Sequence, residues 1–177
     1  MSRDVVTVGP ADSISQAARR MLEGRVHGVY VMEGNNLIGV LTTRDLTVAI
    51  RDKRVRQPIE DWMSTPVFTV RADEPVSVAT ERIVKAHVTG LVVLEDDWPI
   101  GLFTQREALR SSDHKRETPV EQVMSSAMLV LNQKTPLHRA AGQVAALNVR
   151  RVVAIDDHRK VAGILTGADF ARVTADT

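Results

Sequence analysis

Apolar residues fall into short blocks whose order recurs three times along the chain. Val5 to Val8, Val67 to Val70 and Met128 to Leu131 are brief apolar runs that predict strands. Each is followed, after a polar turn, by an apolar stripe at helical spacing. Ile14, Ala17, Met21 and Leu22 stand at i, i+3, i+7 and i+8, and Val76, Ala79, Ile83 and Val84 repeat the stripe, as do Leu137, Ala140, Val144 and Ala145. Asp12 or Ser13 is placed to cap the first helix and Gly24 to close it, while Thr135 before Pro136 marks the start of the third. Apolar-turn-apolar segments come next: Val29 to Met32 with Ile38 to Leu41, Leu91 to Leu94 with Ile100 to Phe103, and Val152 to Ile155 with Val161 to Leu165. They predict β-hairpins, the first around Gly34, Asn35 and Asn36. A second helix then runs toward Ile50, Ser111 and Val173, so the unit reads strand, helix, hairpin, helix.

Independent markers keep the same spacing. Met-Ser occurs at Met1–Ser2, Met63–Ser64 and Met124–Ser125, in steps of 62 and 61, and the segments beginning at Gly39, Gly101 and Gly163 recur in steps of 62 and 62. The one-residue difference falls in the third copy's turn, Asp156 to Lys160. An α/β (α+β) protein of tandem βαββα repeats follows, with repeats over 1–52, 59–112 and 120–177 and polar linkers over 53–58 and 113–119. Arg51, Lys53, Arg54 and Arg56 make the first linker basic, but no aromatic residues alternate with them to stack on bases, so a solvated connector is expected.

Composition narrows the function. Apolar residues at 44% support a real core, and aromatic residues at 3% leave Val, Leu, Ile, Ala and Met to build it. A net charge of +1 gives no chain-wide field for nucleic acid or an anionic membrane, so any anion site must be local. The absence of cysteine removes disulfides, thiolate catalysis and zinc-thiolate sites, and fits a cytoplasmic protein. No signal core and no stretch long enough to span a bilayer is seen.

Each hairpin ends in Gly-apolar-apolar-Thr-x-x-acid, giving Thr42 with Asp45, Thr104 with Glu107, and Thr166 with Asp169. Two readings stand side by side. In one, Thr and acid form a capping box, a role that suits Glu107 better than the two aspartates. In the other, the helix start offers N–H groups and a positive dipole end to phosphate, Thr adds a donor, and the acid accepts from a ribose diol. Just before the hairpin's first strand stand His27, then Thr89, then Arg150 with Arg151. Guanidinium forks match phosphate oxygens, which makes the arginine pair a possible clamp; an exposed strand end is the alternative.

The strings VHGVYVMEGNNLIGVLTTRDL from Val26, VTGLVVLEDDWPIGLFTQREAL from Val88 and VRRVVAIDDHRKVAGILTGADF from Val149 resemble the CBS (cystathionine β-synthase) domain family, as does VEQVMSSAMLVLNQKTPLHRAAGQV from Val120. The resemblance implies repeats that pair into Bateman modules and bind AMP, ADP or ATP, or alternatively S-adenosylmethionine, in clefts between paired repeats. It assigns ribose to Asp45 and Asp169, phosphate to Thr42, Thr166, His27, Arg150 and Arg151, and adenine to the backbone near Val6 and Thr7 with apolar neighbours such as Val29. It implies no structural metal.

The pattern also departs from the family. Glu107 and Thr89 replace the usual aspartate and basic residue, which points to an empty or structural second site. Copy one lacks the segment present as Ile59 to Met63 and Val120 to Met124, as expected of a shortened copy or a part of a longer protein. Three is an odd number for repeats that pair, so a homodimer forming the missing pair across a two-fold axis is expected. No nucleophile with a base, and no close ligand spacing among His27, His87, His114, His138 and His158, argues for an enzyme; His138 is expected to face solvent. The expectation is a regulatory sensor with a partner protein still to be identified, against a scaffold with empty clefts and, more weakly, a nucleic-acid binder.

Overall fold

The computed structural model of the chain describes residues 5–177, so Met1 and Ser2, the first copy of the Met-Ser marker, lie outside the described residues. The first repeat forms β1 (Thr7–Val8), α1 (Ile14–Glu23), β2 (Gly28–Glu33), β3 (Asn36–Thr42) and α2 (Thr43–Asp52). The second forms β4 (Thr69–Arg71), α3 (Val76–Ala86), β5 (Gly90–Glu95), β6 (Trp98–Thr104) and α4 (Gln105–Arg110). The third forms β7 (Leu129–Asn132), α5 (Leu137–Leu147), β8 (Val152–Ile155), β9 (Val161–Leu165) and α6 (Gly167–Asp176). Among the described residues three separate three-stranded sheets result, each with its middle strand central. In the first two, that strand pairs parallel with the opening strand and antiparallel with its hairpin mate, and the register slips at Val31/Met32 and again at Val93/Leu94. This is the expected mixed α/β architecture of tandem βαββα repeats.

Local chemistry explains the element ends. Ser13, not Asp12, caps α1: its Oγ accepts from Gln16 N at 3.1 Å while Gln16 Oε1 takes Ser13 N at 2.7 Å. Asp12 instead receives the Gly9 N–H at 2.7 Å. Gly24 follows α1 with an ordinary negative φ, and the left-handed residue is Arg25, whose counterparts His87 and Asn148 close α3 and α5. Gly24 serves close packing instead, since a Cβ there would lie 2.7 Å from Val6 Cγ2. The buried stripe of α1 is Ala17, Ala18 and Met21, with Ile14 half-buried; the predicted i+8 positions Leu22 and Val84 lie exposed because they sit off the i, i+3, i+4, i+7 face.

The chain divides into two compact units that do not follow the repeat boundaries. The first comprises residues up to Met63, Lys134–Asn148 and Leu165–Thr177; the second comprises Ser64–Gln133 and Val149–Ile164. In the first unit α1 packs on α6, and α2 packs on both α5 and α6. Val8, Ala17, Ala18, Met21, Val29 and Leu46 share one core with Ala171 and Ala175. The linker is exposed at Lys53, Arg54 and Arg56, yet its backbone is tied down: Leu137 N donates to Gln57 O at 2.8 Å and His138 N to Val55 O at 2.9 Å. His138 is therefore half-buried rather than solvent-facing, its ring Nδ1 also lying 2.9 Å from Val55 O.

In the second unit, one core gathers Val70, Ala79, Ile83, Leu91, Val93, Phe103 and Val120. Another joins Val92 and Leu102 of the second repeat's sheet to Val153 of the third's, with Val67, Met128 and Ile164 packed against it. The two sheets also exchange backbone bonds reciprocally. Ser64 and Ile164 bond each other at 2.8 and 3.1 Å, and Ser125 and Leu102 do so at 2.8 and 2.9 Å. Ser64 corresponds to Ser125 and Leu102 to Ile164 in the repeat, so the second and third repeats pair sheet to sheet about a local pseudo-two-fold. No helix among the described residues is long and apolar enough to cross a membrane.

Candidate functional site

Each Thr-x-x-acid element sits where a hairpin's last strand runs into a helix. In the first unit Thr42 N and Oγ1 both donate to Asp45 Oδ2, at 2.8 and 2.7 Å. The Thr43 N–H donates to the His27 carbonyl at 3.0 Å, and Gly28 stands opposite Thr42 in the sheet register. These bonds bring Thr42, Asp45 and His27 together at the start of α2. Asp45 and His27 are exposed, and among the described residues Oδ1 of Asp45 takes no hydrogen bond. Two consequences differ from expectation. The Thr42 hydroxyl proton is committed to the carboxylate, so Thr42 positions Asp45 rather than standing as a free donor, and the first helical N–H is taken by His27.

The opening strand lies on the far side of β2, with Thr7 in register with Tyr30 and Tyr30 N donating to Val6 O at 3.1 Å. Thr7 is exposed and Val6 half-buried. Val29 cannot flank a ligand as the resemblance suggested, because alternation along β2 turns it inward and it is completely buried in the core with Val8 and Met21.

Also in the first unit, Thr166 N and Oγ1 donate to Asp169 Oδ2 at 2.7 and 2.8 Å. Asp169 is only 3% exposed, and Arg172 Nη2 reaches its Oδ1 at 3.1 Å while also bonding the Trp62 carbonyl. Sequence reasoning missed Arg172, although its i+3 spacing from an acid on a helix was the available signal. The starts of α2 and α6 abut: a Cβ on Gly167 would lie 2.7 Å from Thr43 Oγ1, so only glycine allows the two Thr-x-x-Asp elements to approach this closely.

In the second unit Thr104 and Glu107 repeat the arrangement. Thr104 N donates to Glu107 Oε2 at 3.2 Å, Thr104 Oγ1 makes a short bond to the same oxygen, and Gln105 N donates to the Thr89 carbonyl at 3.3 Å. All three Thr-acid pairs thus cap their helices, including the two aspartate copies that fitted this reading less well on sequence. Glu107 is 6% exposed, whereas Asp45 is open to solvent. Arg150 is exposed and Arg151 half-buried. Burial lowers the Arg151 pKa, opposed by the charge of Glu107 and reinforced by that of Arg150. Arg151 Nη2 lies 3.4 Å from Thr89 Oγ1, a long contact. One half of the expected arginine clamp is therefore turned onto the second repeat's own Thr and acid. Thr166 and Asp169 belong to the first unit and Arg150 and Arg151 to the second.

No group of three or more His, Cys, Asp or Glu among the described residues is placed to hold a metal ion. The family model for the CBS domain matches residues 1–52, 59–114 and 120–176. A conserved protein of Pyrococcus horikoshii superposes with a TM-score of 0.81 at 22% identity, covering 98% of this chain and 80% of that one. The CBS domain pair of protein MJ0100, solved with 5′-methylthioadenosine and S-adenosyl-L-methionine, gives 0.59 at 20% identity over 68% of this chain and 98% of that one. CBSX2, solved with AMP, gives 0.57 at 26% identity over 68% and 97%. The chain spans about a quarter of the length of the curated relatives it matches first.

Proposed function

Because the chain belongs to the CBS-domain family, we propose that it is a regulatory ligand-sensing module rather than an enzyme, working in the cytoplasm as a homodimer on a partner protein. Its ligand is an adenine nucleotide, AMP, ADP or ATP, with S-adenosylmethionine as the alternative. The observation that carries this reading is the constellation at the start of α2, where an exposed Asp45 keeps one carboxylate oxygen uncommitted beside His27. That oxygen suits a ribose hydroxyl, and a histidine whose backbone enters at a helix start suits a phosphate. The ligands of MJ0100 and CBSX2 are adenosine compounds, which supports the same chemistry here. Signalling then requires that the ligand bind two arrangements of the protein with different affinity.

A thermal-shift panel of AMP, ADP, ATP and S-adenosylmethionine tests the reading. A ligand at about 100 times its Kd adds about 2.7 kcal/mol, a rise of roughly 5 to 10 °C for a chain of this size. Asp45→Ala should reduce the rise without lowering the unliganded Tm by more than a few degrees. The second reading, a scaffold with empty clefts, draws on the way all three Thr-acid pairs satisfy each other as caps. No shift with any of the four compounds would select it.

A further inference from the structure

We propose that the exposed apolar face of the first repeat's sheet is the homodimer interface, covered by the same face of a second copy of this chain. This deepens the homodimer of the reading above and rests on it. The face presents Val5 at 59%, Tyr30 at 42% and Val40 at 54% exposure. In the repeat these three positions correspond to Val67, Val92 and Leu102 and to Met128, Val153 and Ile164. Those six residues, with Leu94 and Val161, make up the sheet-to-sheet cluster of the second unit. The same three positions are thus packed together in the second and third repeats and exposed in the first.

The backbone and one glycine follow the same pattern. Leu102 and Ile164, on the hairpin strands of the second and third repeats, exchange bonds with Ser125 and Ser64. Val40 is their counterpart on β3, the edge strand of its sheet, and among the described residues no bridge forms there. Gly101 is backed by Met124, so that an added Cβ would strike Sδ, whereas its counterpart Gly39 has nothing within 4 Å. An open edge strand with an apolar face invites pairing.

The occupant is a second copy because the internal pair shows what such a face accepts: another repeat of the same kind, turned by two-fold pseudo-symmetry, each giving its Ser to the other's hairpin strand. Two identical repeats make the exact symmetric form of such a pair, an isologous contact.

Sedimentation of the full chain across micromolar concentrations, joined to cysteine cross-linking, tests this. The chain has no cysteine, so one introduced residue reports one contact. The parent should be a dimer. Val40→Asp should weaken dimerisation at least 100-fold while the Tm of the separated protomer stays unchanged, since Val40 is already exposed. Tyr30→Cys should form an inter-chain disulfide under mild oxidation, and Leu109→Cys, on the exposed side of α4, should not. Cross-linking through Leu109→Cys with none through Tyr30→Cys would overturn this face while leaving the homodimer intact. A monomeric parent would remove both.

Discussion

Arg151 turns its Nη2 toward Thr89 Oγ1, 3.4 Å away, so a side chain from the third repeat lies over the strand entry of the second. Glu107, buried beneath the helix start nearby, supplies the opposing charge that keeps the half-buried guanidinium tolerable. This relationship connects a residue expected to grip phosphate with a site expected to be empty. The second repeat's acid also lies 3.7 Å, through Oε1, from Arg106 Nε, so Arg151 adds to a cation already beside it.

Arg151→Ala should lower the Tm by about 2 to 4 °C, a loss of about 1 kcal/mol, because it leaves the Glu107 carboxylate buried without that charge. Glu107→Gln in the Arg151→Ala background should recover part of the loss. Additive effects in this double-mutant cycle, read by thermal unfolding, would mean the two side chains do not communicate.

The two aspartates at the helix starts should differ in stability. Asp169 is buried and accepts from Thr166 N, Thr166 Oγ1 and Arg172, so Asp169→Ala should cost about 1–3 kcal/mol in chemical denaturation. Asp45→Ala, at an exposed copy of the element, should cost about 1 kcal/mol or less. Equal losses would mean that burial does not separate the two copies.

Glycine positions in the sheets should respond in opposite ways. A Cβ at Gly90 would lie 2.9 Å from Thr104 Cγ2 and 3.1 Å from Phe103 O, so Gly90→Ala should destabilise by about 1–3 kcal/mol. Gly39→Ala meets open space and should leave the protomer's unfolding within about 0.5 kcal/mol of the parent.

Acid should reveal one ion pair. Glu74 accepts from Arg82 Nη2 at 2.8 Å and from Arg71 N at 2.7 Å, and the Arg82 guanidinium, against a smaller opposing effect of burial, holds its carboxyl below the ordinary value of 4.5. A depressed folded value means the contribution is full above the ordinary value and is lost as pH falls through the folded one. Glu74→Gln should therefore be less stable at pH 7, by about 0.5–1 kcal/mol for a partly solvated pair, and the gap should close as pH falls through the lowered value of Glu74. A constant gap between pH 7 and pH 3 would assign the loss to packing.

Local order was legible from residue type and spacing because its causes are short-range. Alternation and helical stripes placed the hairpins and the first α-helix of each repeat, and the Thr-x-x-acid spacing located the start of the second, since a side chain three residues on reaches back to the cap whatever surrounds it. The opening strands start one or two residues later than the apolar runs: β1 holds only Thr7 and Val8, because parallel pairing with β2 and not the apolar run sets its length. Val29 was misread for a related reason, as an apolar residue beside a site looks the same in sequence whether it faces the ligand or the core.

The linear order of residues carried the triplication and the chemistry available at each helix start, because both are written in spacing. It could not carry which acid is open and which is buried, or that Arg151 meets Thr89 while Asp45 stays in solvent. Those outcomes depend on which repeat packs against which. Near-identical units compete for the same contacts, and only the folded chain shows that the second and third share a sheet interface while the first keeps its own apolar face uncovered.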